Sequence, residues 1–259
     1  MENRIGFFEQ FYVALLKPRA YKNLVGLSKR RHVVYAAGVT FLLTLIAFVI
    51  PMASFVASLG GYEKFFTERM PSFTVAAGEL RIERPLDFKI NDIHVVIDDS
   101  VESYSQADVQ NAEETIVYFS RTNAVTNLSL VPVMFQYASL GDQKIDNAYM
   151  AGMAGQFYGS VVFAGLVSWL SQIVTYLVTA LFFVLFGLSI NRFSGANLPF
   201  GKMYTIAIYA VSAFLLMTRL SYYISSGWVV FAAGLVGASL SVRALNVAIL
   251  TFADVQNRL

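Results

Sequence analysis

Cysteine is absent from the 259-residue chain, which excludes disulfides, thiolate metal sites and cysteine nucleophiles. Histidine is nearly absent as well. His32 and His94 are the two present, too few for a three-histidine metal site and for most Ser-His-Asp arrangements. Charge is scarce, at 14% of residues against about 25% in soluble domains. The chain also lacks a Gly-x-Ser-x-Gly elbow, a phosphate-binding loop and a dinucleotide fingerprint. Its longest apolar runs hold no Asp, Glu or His of the kind intramembrane proteolysis would need. These absences point away from an enzyme and lead us to expect no cofactor, no metal and no catalytic residue.

What the chain has in abundance is apolar length. Asn147–Asn191 is a run of 45 residues with no Asp, Glu, Lys, Arg or His. As a helix it would reach ~68 Å, about twice the hydrocarbon core of a bilayer. The predicted fold class is therefore an α-helical integral membrane protein with four transmembrane helices. They fall at 33–59, within one long helix over 147–191, at 203–220 and at 224–242, with a small β-rich extracytoplasmic domain at 60–146 between the first two. Pro51 should kink the first span. A reversal inside 147–191 is not expected, since the run offers no Pro or charge to stabilise one. No signal peptide is expected, because the first apolar run begins only near Val33 and no Ala-x-Ala site follows it.

The charges divide along the chain. Residues 1–32 carry seven Lys and Arg against Glu2 and Glu9, whereas residues 60–150 carry seven against fourteen Asp and Glu, a net of −7. Such a split speaks for two compartments rather than for nucleic acid. Lys29-Arg30-Arg31 abuts the first span, and Arg192 and Lys202 flank the loop after the second. By the positive-inside tendency both termini, including the tail 243–259, are cytoplasmic. The expected location is a bacterial cell membrane, crossed several times. In the segment 1–32, Phe7, Phe8, Phe11, Tyr12, Leu15 and Leu16 recur at helical spacing beside basic residues. This predicts an amphipathic helix on the inner leaflet, with Lys17, Arg19, Lys29, Arg30 and Arg31 contacting lipid headgroups, or, alternatively, a short helix packing on the ends of the chain's own spans. His32 reads as an interface residue, and Arg243 as a side chain that snorkels.

Between 60 and 146 the period drops to two. Phe73–Val75 and Leu80–Ile82 flank an Ala77-Gly78 turn, Ile93, Val95 and Ile97 alternate, and Thr115–Arg121 and Val131–Tyr137 are further strands. Asn123–Asn127 reads as a polar turn, and Ser105–Glu114 as a short helix or loop. Asp98, Asp99 and Glu102, with Asp92 and Asp108 further off, do not form a calcium-loop pattern and read as a solvated acidic edge. Asn127-Leu128-Ser129 fits a glycosylation triplet, of weight only in a eukaryotic secretory setting.

Two patterns concern helix packing. Ala151, Gly155 and Gly159 form one small-residue ladder, and Ala233, Gly234, Gly237 and Ala238 form another; both allow close helix approach. Ser160, Ser168, Gln172, Thr175 and Thr179 form a polar stripe, as interhelical hydrogen-bonding glue or, alternatively, the path of a small oligomeric transporter or channel.

The order of features also resembles an uncharacterised family of bacterial, mostly Gram-positive, four-span membrane proteins. The matching residues are Leu16-Lys17-Pro18-Arg19-Ala20-Tyr21, Pro71-Ser72-Phe73, Gly78-Glu79-Leu80 and Val95-Val96-Ile97-Asp98. Where that pattern has Thr or Ser after the Asp, this chain has Asp99. There is a more distant similarity to Yip1-type multi-span proteins. Some members of the first family are labelled maltodextrin-utilisation accessory proteins, so the resemblance implies a link to sugar uptake. The expected function is a non-enzymatic membrane accessory or regulatory protein. Its partners would be the lipid bilayer and another membrane or envelope protein, or a second copy of itself.

Overall fold

The computed structural model describes residues 5–90, 93–110, 112, 114–128, 131–224 and 226–256. Asp92, Ser129, Ser225 and Arg258 lie outside them. The chain divides into two compact units, Met1–Ile50 with Phe163–Leu259, and Pro51–Val162.

In the first unit, α1 (Phe7–Leu16) ends before Pro18, a tight turn covers Pro18–Ala20, and α2 (Tyr21–Val25) restarts the helix. Proline at the start of that turn costs nothing, since the N–H it lacks would be unpaired there anyway. The aromatic face expected to lie on lipid is split. Phe7 and Phe11 pack with buried Ala14 on the unit's core, while Phe8, Tyr12 and Leu16 stay exposed. Gly38 makes room for this docking, because a Cβ there would collide with the Phe7 ring.

Next comes α3 (Lys29–Thr44), which widens into an i to i+5 turn at Leu45–Val49 before α4 (Ile50–Ser58). The widening precedes Pro51, whose missing N–H frees a carbonyl on the turn before it. The Tyr223 hydroxyl donates to the nearby Ile46 carbonyl. α8 (Ala154–Ser194), α9 (Phe200–Ser221) and α10 (Gly227–Gln256) complete the helical set. Asn191 clamps the α8–α9 loop, accepting from the Leu198 N–H at 2.9 Å and donating to its carbonyl at 3.1 Å. α9 and α10 pack along their length. A Cβ on Gly237 would lie 2.9 Å from Phe214 Cα, so glycine sets that approach.

The second unit holds two sheets. β1 (Phe73–Ala76), β2 (Glu79–Ile82) and β8 (Ile145–Asp146) form one, in the order β2-β1-β8. Ala77 and Gly78 close the β1–β2 hairpin with φ of +51° and +80°, the double left-handed turn whose twist suits a two-residue loop. The other sheet runs β3-β4-β5-β6-β7, from β3 (Leu86–Ile90), β4 (Ile93–Ile97), β5 (Thr115–Phe119), β6 (Asn123–Thr126) and β7 (Val133–Gln136). Its pairs are antiparallel except β4–β5, which is parallel and is joined by a crossover carrying α6 (Gln106–Gln110). Two short helical pieces, α5 (Tyr62–Lys64), which runs into a wide turn at Phe65–Arg69, and α7 (Asn147–Gly152), flank the sheets in the chain.

The predicted fold class needs correcting. The expected single small β-domain is two separate sheets, and none of the four helices has the bounds expected. Those long and apolar enough to cross a membrane run Lys29–Arg69, Ala154–Ser194, Phe200–Ser221 and Gly227–Asp254. That is the length and composition of a multi-pass membrane protein. The first begins in the cationic cluster, because Lys and Arg are good helix formers and hydropathy marks lipid depth rather than helix ends. It is interrupted at Gly60 and Gly61, both at positive φ. The single helix expected over 147–191 breaks at Met153, between α7 and α8. The tail expected after residue 242 is instead the end of α10, where Leu245, Ala248 and Ile249 are buried in the core. Asn123–Asn127, expected as a turn, is mostly strand β6. The reversal falls just before it, where the Ser120 hydroxyl donates to the Asn123 carbonyl at 3.0 Å.

Candidate functional site

The helical unit buries polar groups at its centre. Spacing brings them together: His32 and Tyr35 lie one turn apart on α3, as do Tyr209 and Ser212 on α9. Tyr176 of α8 donates to the Ile208 carbonyl and lies 3.0 Å from Ser212 Oγ, which is 2.7 Å from the Tyr35 hydroxyl. Each hydroxyl has one proton, so the direction is set: Tyr35 donates to Ser212, Ser212 to Tyr176, and Tyr176 to the backbone. A second path starts at His32, whose Nδ1 is 2.9 Å from the Tyr209 hydroxyl. That hydroxyl donates to Gln10 Oε1 at 3.2 Å, which leaves it to accept from an Nδ1–H tautomer. Tyr21 donates to the Ala14 carbonyl at 2.5 Å, and burial pushes its hydroxyl well above the ordinary tyrosine range. Every member of this cluster has a partner, and none is paired with a carboxylate. The arrangement fixes which helix faces meet. Tyr35, Tyr176 and Tyr209 were missed in the sequence; the legible signal was a hydroxyl or imidazole every third residue on otherwise apolar helices.

The polar stripe is only partly turned inward. Ser160 and Thr175 are exposed, Ser168 and Thr179 are half-buried, and Gln172 alone of the five is buried. On a helix of 3.6 residues per turn Ser168, Gln172, Thr175 and Thr179 fall within about 60° of arc, along the border of the packed side, so that Gln172 is turned in and Thr175 out. Gln172 Oε1 accepts from Arg219 of α9 at 3.2 Å, and Thr179 bonds back to the Thr175 carbonyl. The small-residue ladders differ too. Around Gly155 and Gly159 a Cβ would meet nothing within 4 Å, whereas Gly237 touches α9 backbone and Gly234 lies 4.0 Å from Thr218. Ala233, Ala238 and Ala151 are half-buried. Of the headgroup candidates, Lys17, Arg19, Lys29 and Arg30 are exposed, and Lys17 lies 5.0 Å over the Tyr12 ring. Arg31 is half-buried and donates to the Ile5 carbonyl at 3.5 Å. Arg243 is exposed on α10.

In the second unit the acidic residues serve the backbone. Asp98 accepts from the Ser100 N–H and hydroxyl, Asp99 from the Ile82 N–H, and Asp108 from the Ser105 N–H and hydroxyl. Among the described residues no group of three His, Asp or Glu side chains is placed to hold a metal ion. His94 Nε2 sits 2.6 Å from Asp87 Oδ1 on the exposed β3–β4 surface. The Asn127 amide, candidate for glycosylation, is engaged by the backbone of Ile116, Val109 and Glu114.

What the second unit leaves unused is a sheet edge. β7 pairs with β6 on one side, and among the described residues no strand pairs with its other side. All four of its residues, Val133, Met134, Phe135 and Gln136, are exposed. An edge strand of this kind presents N–H and C=O groups to any extended chain beside it, and proteins usually blunt such edges with charge or proline. Here Pro132 stops the strand at one end, but β7 itself carries no charge. The strand was legible as Val131–Tyr137; its place at an edge was not, because pairing order is a property of the whole sheet.

The profile of a family described as "Protein of unknown function (DUF1189)" matches residues 8–249. No curated protein and no solved structure matches the chain.

Proposed function

Since the chain belongs to the DUF1189 family, proteins of unknown function, we propose from geometry that it is a non-enzymatic membrane accessory protein that recruits another membrane or envelope protein by adding an extended segment of that partner to β7. The observation that carries this reading is the uncharged β7, all four residues of it exposed, at the end of a five-stranded sheet. Main-chain hydrogen bonds would supply affinity, and Met134 and Val133 would sort partner side chains on alternate faces. Both termini lie in the cytoplasm, with Lys29 and Arg30 at the inner leaflet, and β7 is presented on the opposite side. Exposed Phe8, Tyr12 and Leu16 next to Lys17 and Arg19 give the N-terminal segment the apolar and cationic pair of signals that holds a helix on anionic lipid.

The test is photocrosslinking from Met134 and from Gln136 of the full chain in its native membrane, with the trapped peptide sequenced. One partner peptide reached at residues two apart, as strand pairing requires, is the expected result, and Met134→Lys abolishes it. The reading fails if the adduct forms equally from the exposed turn at Asp142, or if the peptide comes from a second copy of this chain.

A further inference from the structure

The five-stranded sheet turns a continuous apolar face inward within its own unit. Phe88, Val95 and Val117 sit side by side across β3, β4 and β5, and Ile97, Phe119, Ala124 and Phe135 do so across β4 to β7. Alternation puts all seven on one face. Ile97, Val95, Phe119 and Ala124 pack in part on a small core with Val75, Leu80 and Tyr137. Beneath them lies a cavity of about 520 Å³, walled on its other sides by residues such as Phe55, Leu59, Phe66, Val75 and Phe157. Its lining is aliphatic and aromatic throughout.

The hollow is only partly enclosed, with Phe135 of its wall exposed, and left empty an apolar hollow of that size forgoes the close packing of a native interior. Water gains little there, since an ordered water needs two to four polar partners and the lining offers none. A peptide does not fill it either, because its amides would be buried without hydrogen bonds. The volume lies within the ~300–1,000 Å³ of ligand sites. Taking a methylene as about the size of a water molecule, ~30 Å³, the cavity holds a chain of roughly seventeen carbons. Two walls point to the source. Phe55 and Leu59 belong to the Lys29–Arg69 helix and Phe157 to the Ala154–Ser194 helix, both long and apolar enough to cross a membrane. The apolar molecule at hand along such helices is lipid. The lining also includes the ring of Tyr137, whose hydroxyl is buried away from the cavity and has no partner among the described residues.

The geometry points to a lipid-binding site: the cavity under the five-stranded sheet takes one acyl chain of a membrane phospholipid. This occupancy uses the inner face of the sheet, to which β7 contributes Phe135, whereas strand addition uses the main chain of β7, so the lipid label and the peptide adduct read the two separately.

The probe is a phosphatidylglycerol bearing a diazirine in one acyl chain, mixed at low fraction into phosphatidylethanolamine–phosphatidylglycerol vesicles holding the full chain. After irradiation, peptides covering Phe88–Phe119 are expected to carry label, and Ala124→Phe, which fills the cavity, reduces it at least fivefold while label on α8 is unchanged. Val117→Phe serves as a second filling variant, with thermal unfolding measured for both. If neither variant folds, native mass spectrometry of the unaltered chain decides, and one phospholipid retained per chain after delipidating washes is the expected result. Label confined to α8, α9 and α10, sheet label unmoved in folded variants, or no retained lipid overturns the site. So does sheet labelling by a diazirine fatty acid when the phospholipid probe gives none.

Discussion

The two units are built on different plans. The helical unit leaves apolar side chains outside and holds a hydrogen-bonded polar cluster inside an apolar core: Phe163, Leu170, Val174 and Leu181 of α8 are exposed, while Tyr35, Tyr176, Tyr209 and Ser212 are buried and hydrogen-bonded. The sheet unit carries exposed pairs such as Lys89–Glu114 at 2.8 Å on its surface, and besides the buried, hydrogen-bonded Ser120 and Asn123 it has an apolar cluster in which the Tyr137 hydroxyl is unpaired among the described residues. The difference reflects solvent. Apolar faces gain nothing by leaving lipid, so helices there are sorted by close glycine contacts and by hydrogen bonds. In water, burial of apolar area is the driving term and polar groups remain outside.

Substitutions that exchange the two plans test this contrast. The largest effect is expected for Gly237→Leu, which forces a side chain into the backbone of α9. Overpacking costs about 1–3 kcal/mol where neighbours can yield, and here the neighbour is main chain. The expected outcome is a drop in thermal unfolding temperature and loss of monodispersity in detergent. The same substitution at Gly159, where a side chain meets open space, leaves both unchanged.

A matched pair comes next. Ser212→Ala strands the Tyr35 hydroxyl in the helical unit and should cost about 1–3 kcal/mol, and Tyr35→Phe in the same chain should restore part of it. Tyr137→Phe in the sheet unit removes a hydroxyl that already lacks a partner, and should be neutral or stabilising by up to about 1 kcal/mol. Denaturant unfolding of each variant reads the sign. If Tyr137→Phe destabilises as much as Ser212→Ala, the contrast between the interiors is wrong.

The smallest effect is a matter of pH. Asp146 caps α7 by accepting from the Tyr149 N–H at 2.9 Å. That bond, and then Lys144, hold its carboxyl below the usual aspartate range. A depressed folded value means the cap is complete above the ordinary aspartate pKa and lost as pH falls through the lowered one. Hydrogen exchange at the Tyr149 amide should accelerate over that acidic window and not in Asp146→Asn.

How much of this was legible follows from what each signal encodes. Apolar runs located the long helices, since nothing but lipid or a very large core uses 45 uncharged residues. They misplaced every end, because Lys29 begins α3 and Arg243 sits inside α10 without disturbing either. The Ala77-Gly78 hairpin was readable from its turn chemistry. β6 was not: Asn123 looks like a turn residue, yet it is buried, exchanging hydrogen bonds with the Tyr104 backbone at 3.0 and 2.7 Å. β3 (Leu86–Ile90) was overlooked for a related reason, since Asp87 and Lys89 fill its outer positions. The polar stripe holds to one side of α8, but spacing does not tell whether that side is packed, and Gln172 is its one buried member.

What most needs testing is the proposed topology, in which Lys22 and Lys202 are cytoplasmic and Asp142 is extracytoplasmic. The absence of native cysteine makes single-cysteine labelling clean. In intact cells a membrane-impermeant maleimide should modify a cysteine placed at Asp142, and should reach cysteines at Lys22 and Lys202 only after permeabilisation. Modification of the Lys22 or Lys202 variant in intact cells, with the Asp142 variant protected, would contradict the account.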